Sequence, residues 1–366
     1  MTADREEAAR RGSALAEGAL GGDRRALARL LTAVENRTPV AEAALRRLHA
    51  EAGDAHLVGI TGAPGAGKST LVAALIGEVR ASGRSVAVVA VDPSSPITGG
   101  AILGDRVRMQ AYAADDGVFI RSMASRGHAG GLAAASVAAA TVLDAAGFDL
   151  ILLETVGTGQ SEVEVAAAAD TTVVLEAPEM GDEVQAIKAG LLEVADVVVV
   201  NKGDRPGAQR AAAELRAMLT ATASPRLAGA DPTATARTAS GGPAAAPARP
   251  GPKRPEVLVT TATTGEGVPE LLAAIERHRQ GLGVEGGPAP VRRARAAALV
   301  WALLGDRVRR RLEDPALADV TAETLDAVVR HELDPYAAAD RLLGALVGDA
   351  GRRPEGRDAG RQTSRG

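Results

Sequence analysis

Short runs of Val, Ile and Leu recur between residues 57 and 219, each followed by a longer Ala-rich stretch at helical spacing. The runs are Leu57 to Thr61, Ser85 to Val91, Val118 to Ile120, Leu150 to Leu153, Thr172 to Leu175 and Val197 to Val200. They are continuously apolar rather than alternating, which is what strands of a parallel sheet need when helices cover both faces. The pattern predicts an α/β, doubly wound, mostly parallel sheet over residues 55–280. Ahead of it, residues 1–54 place Leu27, Leu30, Leu31 and Val34 on one helical stripe with Arg24, Arg25 and Arg29 off it, a helical N-terminal extension.

Beyond Leu219 the texture changes. Residues 221–255 carry Thr, Ala, Ser, Gly, Pro and Arg with almost no large apolar side chain, the composition of a flexible insertion. A strand at Val257 to Val259 and a helix with the stripe Leu271, Leu272 and Ile275 close the domain. After a Gly/Pro break at 281–290, an Arg-rich helix over 292–313 aligns Leu299, Val300, Leu303, Leu304 and Val308. Asp334-Pro335 reads as an N-cap with Pro at the first helical position, opening a last helix to about Val347, and 351–366 reads as a disordered tail. The unbroken stripe of the 292–313 helix predicts that residues 290–350 form a homodimer, with docking on the chain's own core as the alternative.

Composition narrows the chemistry. The 366 residues contain no Cys, which excludes disulfides, thiolate metal sites and a cysteine nucleophile. The aromatics are only Tyr112, Phe119, Phe148, Trp301 and Tyr336, too few for stacking on single-stranded nucleic acid. A net charge of −4 gives no general polyanion surface, so no nucleic-acid partner is expected. The polar, two-signed start and the lack of a long apolar run predict a cytoplasmic protein with no membrane span. Of the 42 basic residues only Lys68, Lys188, Lys202 and Lys253 are Lys. In so Arg-dominated a chain, each Lys invites the question of what Arg could not do there.

Gly62, Ala63, Pro64, Gly65, Ala66, Gly67, Lys68, Ser69 and Thr70 follow a strand and open a helix, the context of a phosphate-binding Walker A loop. Backbone N–H groups there can wrap a phosphate chain at the helix N-terminus. Lys68 is expected on the β- and γ-phosphates and the Ser69 hydroxyl on Mg²⁺. The strand Leu150 to Leu153 ends in Glu154, a second position for the hydrated metal, and the Gly157 amide can meet the γ-phosphate. Asn201-Lys202-Gly203-Asp204 follows another strand. A carboxylate at Asp204 can accept from guanine N1–H and the exocyclic amine, whereas adenine would leave it unpaired. The motif therefore favours GTP over ATP. Lys202 would lay its aliphatic stem along the base or ribose and brace the phosphate loop. Thr261, Ala262 and Thr263 suit a final base-contact loop in which a backbone amide meets guanine O6, with Gly265 and Gly267 in a tight turn.

With these motifs, the chain resembles the MeaB/ArgK family of P-loop GTPases, accessory proteins of the adenosylcobalamin-dependent methylmalonyl-CoA mutase. The resemblance covers about residues 22–347 outside 221–255. It rests on Gly59 to Thr70, Val91 to Pro96, Gly104 to Met109, Arg121 to His128, Glu154 to Gln160 and Gln185 to Gly190. It implies a P-loop GTPase core with helical extensions at both ends, GTP/GDP and Mg²⁺ as ligands, and an acyl-CoA mutase, methylmalonyl-CoA mutase foremost, as partner. The expected activity is hydrolysis of GTP to GDP and phosphate, slow alone and stimulated by the partner, used to gate cofactor loading and protect the mutase.

The resemblance also places Asp92 and Asp105 as metal-site carboxylates beside Ser69 and Glu154, and 177–188 as a switch loop in which Gln185 and Lys188 couple nucleotide to partner. Gly203 stands where Ala is usual in the family, a small change expected to leave specificity intact. Thr158 follows Gly157 where Ras-like enzymes carry a water-orienting Gln, and Gln160 is displaced from that place. His128 suggests a structural or switch role, the other histidines (His49, His56, His278, His331) being scattered along the sequence. Two other readings compete: an ATP-dependent protein kinase or transport ATPase, disfavoured by the guanine-type motif, and a metallochaperone GTPase, disfavoured by the missing Cys/His cluster.

Overall fold

The computed structural model describes residues 2–93, 109–112, 114–125, 131–155, 168–178, 192, 194–222, 255–284 and 289–350. Three helices lead: α1 (Thr2–Leu20), α2 (Arg24–Glu35) and α3 (Pro39–Leu48). What reads in the sequence as one helical extension is thus broken twice, and side-chain caps set the breaks. Asp23 accepts from the amides of Arg25 and Ala26, and Thr38 from that of Ala41 with Pro39 opening the helix. The stripe read from the sequence is the buried face of α2: Leu27, Leu30, Leu31 and Val34 all lie inside. Each such burial is worth about 1.5–3 kcal/mol against exposure.

The central element is a seven-stranded sheet, all parallel, in the order β3-β2-β4-β1-β5-β6-β7. Its strands are β1 (His56–Gly62), β2 (Val86–Pro93), β3 (Val118–Ser125), β4 (Leu150–Thr155), β5 (Thr171–Glu176), β6 (Val197–Val200) and β7 (Glu256–Val259). β1, β4, β5 and β6 are buried along their whole length, as the unbroken apolar runs require. One face packs on α1–α3 and α5 (Gly131–Ala145), with Leu30, Leu31, Val89, Leu143, Ile151 and Leu153 in the core. The other face packs on α4 (Lys68–Ala81) and α7 (Val268–Val284) through Ile60, Leu71, Leu75, Leu152, Leu271 and Ile275. A smaller cluster joins α6 (Ala208–Thr222) to β5–β7.

The edge strand β3 is held by the N-terminal helices. Arg24 donates to the carbonyls of Asp116 and Val118 while its guanidinium lies 5.5 Å from the Phe119 ring centroid. Arg121 pairs with Glu35 at 2.8 Å.

By contacts the chain divides into Met1–Leu299 and Val300–Gly366. α8 (Ala289–Leu312) runs across the division, and α9 (Ala318–Val329) and α10 (Pro335–Ala350) follow it in the second unit. α10 opens as read, with the Asp334 carboxylate accepting from the amides of Tyr336 and Ala337, but continues past Val347 to Ala350. In the second unit Val300, Trp301, Leu303 and Leu304 of α8, Leu325 and Val329 of α9, and Tyr336, Leu343 and Val347 of α10 are exposed. Among the described residues no helix is long and apolar enough to cross a membrane.

Candidate nucleotide site

The central strand β1 ends at Gly62 and α4 begins at Lys68, so the glycine-rich loop spans the C-terminal end of the sheet at a helix N-terminus. Gly62 has φ 142°, and a Cβ there would fall 2.1 Å from the Leu175 carbonyl oxygen. Any side chain would therefore force the loop off β5. Lys68 and Ser69, the first residues of α4, are both buried. The Lys68 ammonium donates to the carbonyls of Gly62 (2.8 Å) and Ala63 (3.2 Å). An anionic phosphate chain can compete for it.

Ser69 Oγ donates to Glu154 Oε1 at 2.6 Å, and Glu154 sits near the end of β4 level with Ile60 of β1 and Ala90 of β2. A hydroxyl and a carboxylate converging so closely are hard oxygen donors of the kind Mg²⁺ takes, usually with waters filling the other positions. These residues fit the ion. Asp92 lies two residues beyond Ala90 on β2, in register with Ala124 of β3. Asp105, Gly157, Gln185 and Lys188 lie outside the described residues, as do His128, Thr158, Gln160, Lys253 and residues 223–254 of the low-complexity stretch. Thr70, the third residue of α4, is half-buried.

The Asn201–Asp204 loop lies against the phosphate loop. Asn201 Nδ2 donates to the Ala66 carbonyl at 2.9 Å, and Lys202 Nζ donates to the Gly65 carbonyl at 2.7 Å. Lys202 has φ 59°, an uncommon conformation for a residue with a side chain. The Gly203 amide donates to the Thr260 carbonyl, and a Cβ at 203 would approach Val259 Cγ1 at 2.8 Å. Gly203 therefore lets this loop sit closer to β7 than Ala would without a shift. Asp204 is exposed at the mouth.

Thr261 and Ala262 are buried and Thr263 exposed, with the Ala262 amide donating to Asn201 Oδ1. Gly265 and Gly267 both have positive φ, as the tight turn requires. Thr260, unread in the sequence, also reaches Asn201: its hydroxyl donates to Oδ1 at 3.1 Å. No local pattern marks it, because the partner comes from another strand end.

Two of the histidines that are scattered along the sequence, His56 and His278, come to one threonine at the opposite end of the sheet. Thr171 Oγ1 lies 2.8 Å from His56 Nε2 and 2.8 Å from His278 Nδ1, and His278 Nε2 lies 3.3 Å from Asp196 Oδ1. The Thr171 hydroxyl thus bridges the two rings. His56 Nδ1 is buried without a hydrogen-bond partner. Burial accordingly pushes the His56 pKa down to about 4, Arg279 and His278 acting in the same direction against Asp170 and Glu276. Among the described residues no group of three or more His, Cys, Asp or Glu could hold a metal.

A glycine-rich phosphate loop at the end of the central parallel strand, hydrogen-bonded to an Asn-Lys-x-Asp base loop, defines a P-loop GTPase. Comparisons with known proteins narrow the class. Residues 27–316 match the family described as methylmalonyl Co-A mutase-associated GTPase MeaB, and the chain belongs to that family. It is 41% identical over 334 residues to a Mycobacterium tuberculosis protein named "Probable GTPase", spanning 90% of this chain and 93% of that one. The mouse protein named methylmalonic aciduria type A homolog, mitochondrial, is 31% identical over 347 residues, 90% of this chain and 78% of its own. Among solved structures, one described as LAO/AO transport system kinase superposes with a TM-score of 0.61 at 26% identity, covering 92% of this chain and 97% of that one.

Proposed function

We propose that this GTPase is Mg²⁺-dependent and serves as a chaperone of an adenosylcobalamin-dependent acyl-CoA mutase, methylmalonyl-CoA mutase foremost, gating cofactor loading and protecting the enzyme. The observation that carries the guanine site is the direct bonding of base loop to phosphate loop, Asn201 to Ala66 and Lys202 to Gly65. One ligand bound to both loops must place its base and its phosphates at a fixed separation. The family description and the name of the mouse relative support the mutase as client.

In this reading Lys68 leaves the Gly62 and Ala63 carbonyls for the β- and γ-phosphates, and backbone N–H groups of residues 65–70 wrap the phosphate chain. Ser69 and Glu154, with Asp92 and Asp105, would hold Mg²⁺. When bound, the ion neutralises charge that develops on the phosphates. The Gly157 amide meets the γ-phosphate. Asp204 accepts from guanine N1–H and the 2-amine, Lys202 lays its stem along the base, and the Thr261–Thr263 loop offers a backbone amide to O6. Gln185 and Lys188 relay nucleotide state to the mutase.

A second copy of the chain covers the exposed face of α8, so the working unit is a homodimer in the cytoplasm, engaging neither nucleic acid nor membrane. The name of the solved relative, a transport system kinase, raises an ATP-dependent kinase as another reading. Asp204 opposes it, because adenine leaves that carboxylate unpaired. Titration with GTP and ATP decides: a GTP preference of at least about 1,000-fold is expected, falling below about tenfold in Asp204→Ala. Equal binding of ATP would sink the guanine site. Pull-down from native extract with GDP and with a non-hydrolysable GTP analogue tests the partner, and failure to recover a cobalamin-dependent mutase in either state would count against the chaperone role.

A further inference from the structure

At the end of the sheet opposite the nucleotide site, a single turn of α7 is tied to the starts of the strands. Glu276 pairs with Arg84 ahead of β2, Arg277 pairs with Glu256 of β7, and Arg279 donates to the Asp54 carbonyl ahead of β1. Between them His278 meets Thr171 of β5 and Asp196 ahead of β6. Arginine makes three of the ties. The fourth is an imidazole, the side chain whose charge ordinarily changes between about pH 5 and 8.

The series His56, Thr171, His278, Asp196 has room for a fixed number of hydrogens. It contains three contacts: His56 Nε2 to Thr171 Oγ1 at 2.8 Å, Thr171 Oγ1 to His278 Nδ1 at 2.8 Å, and His278 Nε2 to Asp196 Oδ1 at 3.3 Å. Each contact holds one hydrogen. With both rings neutral, the hydroxyl supplies one and each ring supplies one, so supply and contacts match as long as the partnerless His56 Nδ1 stays bare. A fourth hydrogen has no place. Either it sits on His56 Nδ1, where no acceptor meets it, or it doubles a filled contact and turns the Thr171 hydroxyl hydrogen away from both rings. Thr171 is fully buried, and no other described group is bonded to that hydroxyl. A buried donor left unmatched is costly, so the bridged arrangement resists a proton. Asp196 pulls the other way, since a facing carboxylate attracts an imidazolium.

The two rings differ in how they can resolve that conflict. His56 is 2% exposed within β1, and burial, with Arg279 and His278 acting in the same direction against Asp170 and Glu276, lowers its pKa to about 4. The His278 side chain is 27% exposed and projects from a helix, so rotation brings it to water. We propose that His278 is a proton-operated latch between α7 and the sheet: on taking up one proton from water it breaks from Thr171 and turns its Nδ1–H to solvent, held by Asp196 alone. Thr171 keeps its bond to His56, and the three arginine ties keep the helix on the sheet. Acid therefore loosens the last turns of α7 locally, without unfolding the domain.

Amide exchange, expressed as protection factors so that the intrinsic effect of pH is removed, tests the latch in the full nucleotide-free chain. Between about pH 7.5 and about pH 5, protection at residues 279–284 should fall by about tenfold while that at 268–275 changes by less than about twofold. His278→Gln, whose amide can bond to Thr171 and does not titrate, should hold protection at 279–284 within about twofold over the same range. Thr171→Val, which lacks the hydroxyl, should show the lower protection at both values, and the comparison stands on His278→Gln alone if the valine variant does not fold. Ring-nitrogen spectra of the histidine-labelled chain at about pH 5 should show both nitrogens of His278 protonated and His56 neutral. Unchanged protection in the unaltered chain, an equal loss in His278→Gln, or a loss spread evenly along α7 would each overturn the proposal. A proton found on His56 with His278 still neutral would overturn it as well.

Discussion

The two ends of the one parallel sheet use the same side-chain chemistry to opposite effect. At the N-terminal end, carboxylates close on backbone N–H groups around the strand starts. Asp144 accepts from Asp54 and Ala55 before β1, Asp149 from Ser85 before β2, Asp170 from Leu57 in β1, and Asp196 from Thr172 in β5. At the C-terminal end, Lys68 and Lys202 rest on carbonyls of the phosphate loop and Ser69 on Glu154. The first set matches acids to donors that the backbone supplies in fixed places. The second matches charges to groups that a phosphate chain or a cation could replace. Polar burial therefore marks function only where the partner can be exchanged, and otherwise completes the fold.

The largest effect that separates the ends should come from Lys68→Arg. The slim ammonium fits between two loop carbonyls, and a planar guanidinium presents a wider fork with different reach. GDP affinity by calorimetry should fall by at least about 100-fold, near 2.7 kcal/mol. The unfolding midpoint measured without nucleotide should hardly move, because the sheet's other end is untouched. Retained affinity, or lost affinity only in step with lost stability, would erase the distinction.

What the sequence disclosed follows the same division. The glycine-rich loop and the Asn201–Asp204 loop are contiguous motifs, the first with Gly62, Gly65 and Gly67 at positive φ, so each is visible as a short sequence pattern. The strands could be read because burial on both faces leaves unbroken runs such as Val197–Val200. The histidine network could not. His56, Thr171, Asp196 and His278 lie far apart in the chain, and only the parallel order β4-β1-β5-β6 brings their ends together. Thr260 carries no local signal, because its partner Asn201 follows a neighbouring strand. The breaks at Asp23 and Thr38 lie inside a stretch of continuous helical spacing, where only the two capping residues mark them.

A middle-sized effect tests the closed end alone. Asp196→Ala removes the acceptor of the Thr172 amide and the carboxylate facing His278, leaving a buried N–H unmatched. The loss should be about 2 kcal/mol in denaturant unfolding. GTP affinity of the folded protein should stay within about twofold, a result that Lys68→Arg reverses. If Asp196→Ala weakened GTP binding by tenfold or more, the two ends would be coupled through the sheet and could not be treated as separate designs.

The smallest effect is a pH dependence at that same end. His56 is neutral in the fold with its pKa lowered to about 4, against 6.5 for an ordinary histidine. Between those values the unfolded chain binds a proton that the folded chain does not, so stability falls as pH is lowered through that window and is not further affected by this group below it. One proton is worth at most about 1.4 kcal/mol per pH unit, and about 1 kcal/mol should be lost between pH 6.5 and 5.5. His56→Gln can keep the hydrogen bond to Thr171 without titrating, and should flatten the curve of unfolding free energy over this window. Asp149 acts lower on the scale: donation from the Ser85 amide holds its carboxyl below the usual carboxylate range, so the stability it adds disappears only as pH falls through that depressed value. A His56→Gln curve parallel to that of the unaltered chain would mean that His56 takes up its proton in the folded state, which its partnerless buried Nδ1 opposes.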